Sequence, residues 1–272
     1  MTVIKPQTSR SDVPFHLGLI LLSSVYVVLI VGMLVADASF TSPRAVWQIL
    51  GSPEIRYAIK LSLLSCSLTT LLSLWVAVPL GYVMSRYRFP GRRLVDALLD
   101  IPIVLPPLVV GLSLLVLFQT PPGRLIEKLL PVTYAIPGVI LAQFAVACAF
   151  AVRTMRVTFD QINPRSEQVA LTLGCSRGQA FWQVTLPEAR VGVLTAATLA
   201  WARSLGEFGP ILVFAGATRL KTEVLSTTVF LELSIGNLEA AVAVSLLMIL
   251  AAVVVLLVVR FFGLETTFGK AV

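Results

Sequence analysis

The chain is a succession of long apolar runs separated by short polar stretches. Uncharged runs long enough to cross a bilayer, about 20 residues, cover Leu17–Ala36, Leu61–Ser85, Ile101–Thr120, Leu129–Val152 and Ala240–Val259. A sixth run, Val191–Thr218, is apolar apart from Arg203 and Glu207. This pattern predicts an all-α fold: a polytopic membrane protein of six transmembrane helices in a single domain spanning residues 1–272. Pro79, Pro106, Pro107 and Pro137 fall inside these runs and predict kinks, tolerated where neighbouring groups re-satisfy the freed carbonyls. Residues 37–60 and 119–134 read as external loops with turn residues and little periodicity. The first run is too long for the apolar core of a cleavable signal, and no small-x-small site follows Asp37. It reads as the first membrane helix.

Composition narrows the class further. With 57% hydrophobic and only 13% charged residues, and a mean hydropathy of +0.91, a soluble domain is excluded. In a soluble protein the net charge of +7 would suggest nucleic acid as a partner. Here the positive-inside rule accounts for it, and no nucleic acid is expected. If the N-terminus is cytoplasmic, the inside segments collect 13 of the 21 Lys and Arg residues and the outside loops 7, with Arg203 left within a span. Lys5, Arg10, Arg260 and Lys270 are among the inside ones. The sharpest vote is the short basic loop Arg86-Tyr-Arg88-Phe-Pro-Gly-Arg-Arg93. Both termini are therefore expected in the cytoplasm.

Little in the chain suggests catalysis. His16 is the single histidine, at the edge of the first span, and reads as a surface residue. Cys66, Cys148 and Cys175 lack metal-ligand spacing and read as small buried residues without a disulfide framework. Gly263-Leu-Glu-Thr-Thr-Phe-Gly-Lys270 superficially resembles a phosphate loop. It has one residue too many between its glycines, and Ala271 stands where Ser or Thr is needed. No metal or cofactor is expected on this chain, and any ATP chemistry must come from another subunit.

The stretch Glu167–Pro187 is the longest polar interruption, and the charge count places it in the cytoplasm. Asn163-Pro164 supplies an N-cap and a proline at the first helical position. Gly174 sits where a helix end favours positive φ. Ser176 and Gln179 have capping-box spacing, and Pro187 limits how far the second helix can continue. Two short helices hinged at Gly174 are predicted, a rigid loop suited to mechanical contact. The pattern resembles the "EAA" loop of ABC-importer permeases. Ala170, Gly174, Leu186 and Pro187 match in register. Gln168 and Val169 stand where the family has its Glu and first Ala, and Glu167 is one place early. The resemblance implies a type I ABC-importer permease-like fold. It also implies that Glu167, Gln168, Ala170, Gly174, Leu186 and Pro187 belong to a coupling loop over 163–188 that docks in a groove on a separate ATPase. The alternative is an interfacial amphipathic loop with no partner.

The fifth run carries the costliest residues, in Trp201-Ala-Arg203-Ser-Leu-Gly206-Glu207-Phe208-Gly209-Pro210. Arg203 and Glu207 are four apart, on one helical face and able to pair. Charges at such depth face protein or a water-filled path. Two readings stand side by side: a buried pair that fixes helix packing, or a pair that lines or gates a pathway. The stretch resembles the Ala-Arg-Ala-Leu-Gly-Glu-Phe-Gly signature of molybdate permeases and the similar one of sulfate permeases, with Ser204 in place of the second alanine. That resemblance implies pathway roles for Arg203, Gly206, Glu207, Phe208 and Gly209, and an oxyanion, molybdate first, with sulfate, thiosulfate or tungstate as alternatives. It further implies a second permease chain, identical in molybdate-type systems. Two ATP-binding cassette ATPase subunits carrying ATP and Mg, an extracytoplasmic oxyanion-binding protein and a bacterial or archaeal cytoplasmic (inner) membrane complete the picture. The matching outer stretch, Thr222–Asn237, would contribute to the surface where the binding protein docks, or form a short helix packed on the membrane surface.

Two other classes compete. A self-contained secondary transporter or channel would use Arg203 and Glu207 as a relay, but the sequence shows no paired repeats with broken helices. A membrane-embedded enzyme finds no nucleophile–base or metal constellation.

Overall fold

The computed structural model describes residues 13–268, with side chains from 15 to 257 apart from 43 and 45, and every regular element among them is helical. Helices α1 (Val13–Phe40), α2 (Pro43–Gly51) and α3 (Pro53–Arg86) come first, followed by α4 (Arg92–Val104), α5 (Pro107–Gln119), α6 (Pro121–Leu129) and α7 (Ile136–Gln161). After α7 come α8 (Pro164–Thr172), α9 (Arg177–Ala180), a π-helical turn (Phe181–Thr185), α10 (Leu186–Glu188) and α11 (Arg190–Leu205). The chain ends in α12 (Gly209–Phe214), α13 (Leu225–Ser234) and α14 (Leu238–Phe268). Lys5, Arg10 and Lys270 of the charge count lie outside the described residues, as does the side chain of Arg260. The phosphate-loop look-alike continues α14 as helix as far as Phe268.

Among the described residues four helices, α1, α3, α7 and α14, are long and apolar enough to cross a membrane. The other two runs are broken. Ile101–Thr120 is not one helix: α4 stops at Val104, α5 starts at Pro107, and the two are bent by 113°. Neither proline can donate an N–H, and Pro107 disfavours helical backbone at Pro106. Val191–Thr218 likewise splits, because α11 has 16 residues and ends at Leu205, before the Gly206–Phe208 break. The Leu129–Val152 run is shifted: α7 begins at Ile136, with Pro137 in its first turn rather than at a kink, and extends to Gln161. It carries Arg153, Arg156 and Asp160 past the end of the apolar run because α4 supplies partners. Arg156 pairs with Asp96, and Arg153 lies 3.6 Å from Asp100.

The expected loops at 37–60 and 119–134 are largely helical, holding the end of α1, all of α2, the first turns of α3 and all of α6. Ser52 caps α3 by accepting the Ile55 N–H. Pro187 does not stop its helix either. The π-helical turn precedes it, and α11 follows α10 after one residue. A proline in the first turn of a new helical segment forfeits no interior hydrogen bond.

The centre is a three-helix seam of α3, α7 and α11. The buried face of α3 repeats a small residue every fourth position, Ser65, Thr69, Ser73, Ala77 and Gly81. Small residues let membrane helices approach closely where lipid supplies no hydrophobic driving force. A Cβ at Gly81 would lie 2.8 Å from Met155 Cβ and 2.9 Å from the Arg156 backbone nitrogen. Gln143 supplies the cross-helix polar ties of this seam, where the Ser73 hydroxyl is buried without a partner. Gln143, 1% exposed, accepts from the Thr69 hydroxyl (3.1 Å) and donates to the Ser204 carbonyl (3.2 Å) and Cys66 Sγ (3.7 Å). One amide therefore ties the three helices together. The apolar window of α1 buries nothing within the chain.

Gly81→Val should force α3 off α7 and cost about 1–3 kcal/mol, the range for overpacking. A lowered thermal midpoint in detergent, with unchanged helical content, would register it.

Candidate functional site

The two broken spans cross at their breaks. A Cβ on Gly209 would stand 3.0 Å from the Leu108 nitrogen and 3.1 Å from Pro107 Cβ, and one on Gly111 would stand 2.8 Å from Pro210 Cα. Only glycine allows so close a backbone crossing. Arg203 and Glu207 lie where α11 ends. Arg203 Nη2 is 2.7 Å from Glu207 Oε1, and its guanidinium carbon stands 5.5 Å from the centre of the Phe150 ring. Glu207 is 1% exposed, and neither carboxylate oxygen receives a well-angled hydrogen bond, so the guanidinium is its charge partner. Its backbone carbonyl accepts from the Ser226 hydroxyl at 2.6 Å, pinning the break to α13. Gly206 is exposed and Phe208 half-buried, its ring 5.2 Å from that of Phe230.

From the Phe150 level, a cleft of about 570 Å³ runs between α7 and α11 to Gln161, Ile162 and Glu188. Its walls carry Arg153 and the hydroxyls of Thr154, Thr158 and Thr195. Those hydroxyls donate back to carbonyls one turn earlier, a local bond that leaves only acceptor lone pairs facing the cleft. Beyond its Phe150 end stands the Arg203–Glu207 pair, and at its other end, by Glu188, lies the polar loop. The sixteen residues of α11 separate them by about 24 Å at 1.5 Å per residue, so the two predicted residue sets form two sites on one lever.

The loop folds as its residues predict. Asn163 accepts the Arg165 N–H, and Ser176 and Gln179 form a complete capping box. Gly174 has φ +92°. Its N–H meets the Leu171 carbonyl at 3.1 Å and the Cys175 N–H meets that of Ala170 at 3.1 Å, the double bond pattern that closes a helix at a left-handed residue. Ala170 is buried, Leu186 half-buried, and Gln168 and Pro187 are exposed. Glu167 does not share the exposure of Gln168. Its carboxylate turns inward, to the Tyr82 hydroxyl at 2.5 Å and to Arg86 Nε at 3.8 Å. The outward face is apolar: Val169, Leu173 and Trp182 are 56%, 80% and 67% exposed.

At the opposite end of the chain's helices, α13 packs inward rather than lying on a surface. Leu225, Thr227, Thr228 and Glu232 are buried, and the Leu225 N–H reaches Ser62 Oγ at 2.8 Å. Glu232 takes Arg219 at 2.8 Å and the Asn237 amide at 3.0 Å. Burial pushes the Glu223 carboxyl above the usual carboxylate range, against the pull of the Thr228 hydroxyl and Arg219. Among the described residues no cluster of His, Cys, Asp and Glu could hold a metal ion, and the three cysteines are unpaired.

Sequence reasoning missed Gln143, Phe150 and the Tyr82–Arg86 partners of Glu167. Gln143 alone had a signal, a lone amide in an apolar run. Of the missing paired repeats with broken helices that counted against a secondary transporter, the broken helices are present: among the described residues two spans are interrupted, at Leu105–Pro106 and Gly206–Phe208.

A helical membrane bundle with crossed broken spans and a rigid two-helix loop has the fold of an ABC-transporter permease. The solved bacterial alginate ABC transporter, in complex with its alginate pentasaccharide-bound periplasmic protein, contains a chain that aligns with a TM-score of 0.73 at 19% identity, over 93% of this chain and 95% of that one. The chain belongs to the family of binding-protein-dependent transport system inner membrane components, whose model matches residues 77–264. It is 34% identical over 229 residues to the sulfate transport system permease protein CysT of Escherichia coli strain K12, covering 83% of this chain and 82% of that relative. It is equally 34% identical over 226 residues to the molybdenum transport system permease protein ModB of Mycobacterium tuberculosis, covering 82% and 84%.

Arg203→Ala, which strands a buried carboxylate, should cost about 3–5 kcal/mol, more than Arg203→Ala/Glu207→Ala. Thermal unfolding of both variants in detergent checks the order. A double variant that unfolds like the parent yet transports nothing would assign the pair to the pathway.

Proposed function

We propose that this chain is the membrane-spanning subunit of an ATP-driven importer that carries an oxyanion, molybdate first, from an extracytoplasmic binding protein into the cytoplasm. Family membership supports the importer class, and the names of the relatives support the oxyanion. The observation that carries the coupling role is the exposed apolar face of Val169, Leu173 and Trp182 on a capped, left-handed-glycine loop. That shape suits insertion into a groove of an ATPase subunit. Gln168, Gly174 and Pro187 border that face, with Ala170 and Leu186 packed behind it.

In this reading two identical chains surround one path, each docked on an ATPase that binds ATP and Mg. The basic residues of the loop end support a cytoplasmic position for it and for both termini, in the cytoplasmic membrane. ATP-driven closure of the ATPases shifts the loops as rigid bodies and repacks the bundle between inward- and outward-facing forms. The α7–α11 cleft carries Arg153 and Glu188 on its wall, and Arg203 neutralises Glu207 beyond its Phe150 end, so this path bears no net negative charge to repel a dianion. Molybdate comes first because Ala202–Gly209 departs from the molybdate-permease signature only at Ser204. The 34% identity with a sulfate permease keeps sulfate, with thiosulfate or tungstate, as the second reading.

Purification of the tagged chain from its native membranes should bring an ATPase with a phosphate loop in about equal amount. Molybdate-loaded binding protein should stimulate that ATPase more than the sulfate-loaded form. Transport by the isolated chain in liposomes without ATP would overturn the importer reading. Gly174→Leu strains a φ +92° position by roughly 1–3 kcal/mol and should abolish ATP-dependent uptake while the bundle stays folded. Normal uptake by that variant would remove the loop from the mechanism.

A further inference from the structure

We propose that Glu167 is an internal latch that fastens the coupling loop to the end of α3, so that movement of the loop enters the bundle through α3. This deepens the importer reading and rests on it. Glu167 lies on α8, but its carboxylate is held entirely by residues of other elements. The Tyr82 hydroxyl donates at 2.5 Å from α3, the Thr185 hydroxyl at 3.4 Å from the π-helical turn, and Arg86 Nε stands 3.8 Å away at the last residue of α3. One carboxylate thereby joins the segments before and after the Gly174 hinge to a single helix end.

Each partner is itself held in place. The Tyr82 ring makes edge contacts with Phe181, Phe159 and Tyr87, at centroid distances of 4.8, 5.6 and 6.1 Å. Arg86 donates through Nη2 to the Ile162 carbonyl at 3.0 Å, where α7 ends. A second tie lies beyond the hinge: Arg177 Nη1 donates to the Tyr87 hydroxyl at 3.3 Å. With both halves of the loop bound to the end of α3, Gly174 acts as a fixed corner.

The geometry also separates Glu167 from the docking face. Its side chain is 15% exposed, and both oxygens are turned to partners within the chain. Gln168, Val169, Leu173 and Trp182 face outward instead. Arg86 Nε is buried without a well-angled acceptor. It stands 3.8 Å from Glu167, an ion-pair rather than a hydrogen-bond distance. Farther along α3, Gly81 touches α7, and Thr69 and Cys66 bond Gln143. A load on the loop therefore has a continuous packed route to the seam.

The test uses the complex of this chain with its ATPase in liposomes, supplied with loaded binding protein, and reads anion uptake per ATP hydrolysed. Glu167→Gln removes the charge and keeps the shape, and Tyr82→Phe removes one hydroxyl. Each variant should retain its ATPase and its stimulated hydrolysis but transport about fivefold less per ATP, the equivalent of one net hydrogen bond. The double variant should be no worse than either single one, because both remove the same tie. Loss of the ATPase from purified Glu167→Gln complex would make Glu167 a docking contact and overturn the latch. So would an unchanged uptake-to-hydrolysis ratio, or unfolding of both variants. If the parent chain brings no ATPase at all, the importer reading fails instead, which the same purification reveals first.

Discussion

The close backbone crossing of Pro107 and Leu108 with Gly209, and of Pro210 with Gly111, is the contact on which the rest of the bundle depends. Two membrane spans stop being helical at the same place, and each break leaves carbonyls and N–H groups without helical partners. In hydrocarbon such groups are tolerated only where protein or a water-filled cavity surrounds them. Stacking one break on the other meets that requirement twice at once. It also leaves Arg203 and Glu207 at the end of α11, paired over Phe150.

Around that crossing the polar inventory is sorted by depth. Gln143 binds three helices through an amide that needs no charge, while Glu207 is neutralised by an arginine one turn away. Toward the loop end, charges appear in numbers and pair across helices, Arg156 with Asp96 and Arg153 with Asp100. These exposed pairs are individually weak, yet they let α7 run on past its apolar stretch and deliver Ile162 and the loop. The loop's own polar groups, Glu167 with Tyr82 and Arg177 with Tyr87, then bind it to α3. From the crossing to the loop, the cleft, α11 and α3 form one mechanical unit.

The class of protein and the form of the loop were legible in the residues because both depend on local rules. Long uncharged runs mean membrane helices, Ser176 with Gln179 means a capping box, and a glycine after a short polar helix means a left-handed end. What failed was reading a run as a helix. Hydropathy marked Ile101–Thr120 and Val191–Thr218 as spans, but it does not register that the helix stops at Pro106–Pro107 and again at Gly206–Phe208. It also ended one span at Arg153, because it cannot see that Asp100 on another helix compensates the charge. The inward turn of Glu167 was invisible for a related reason: α8 offers the carboxylate no partner of its own, and Tyr82 lies 85 positions earlier.

By itself, the sequence determined an all-helical membrane chain, a capped two-helix loop with its corner at Gly174, and an Arg203–Glu207 pair on one helical face, since each follows from neighbours within a few residues. Tertiary structure alone decided that the broken spans cross, that Gln143 joins three helices, that α13 packs inward, and that Glu167 faces α3. Those arrangements depend on which distant backbone comes within a few ångströms, and glycine, proline and charge specify only that an approach is permitted.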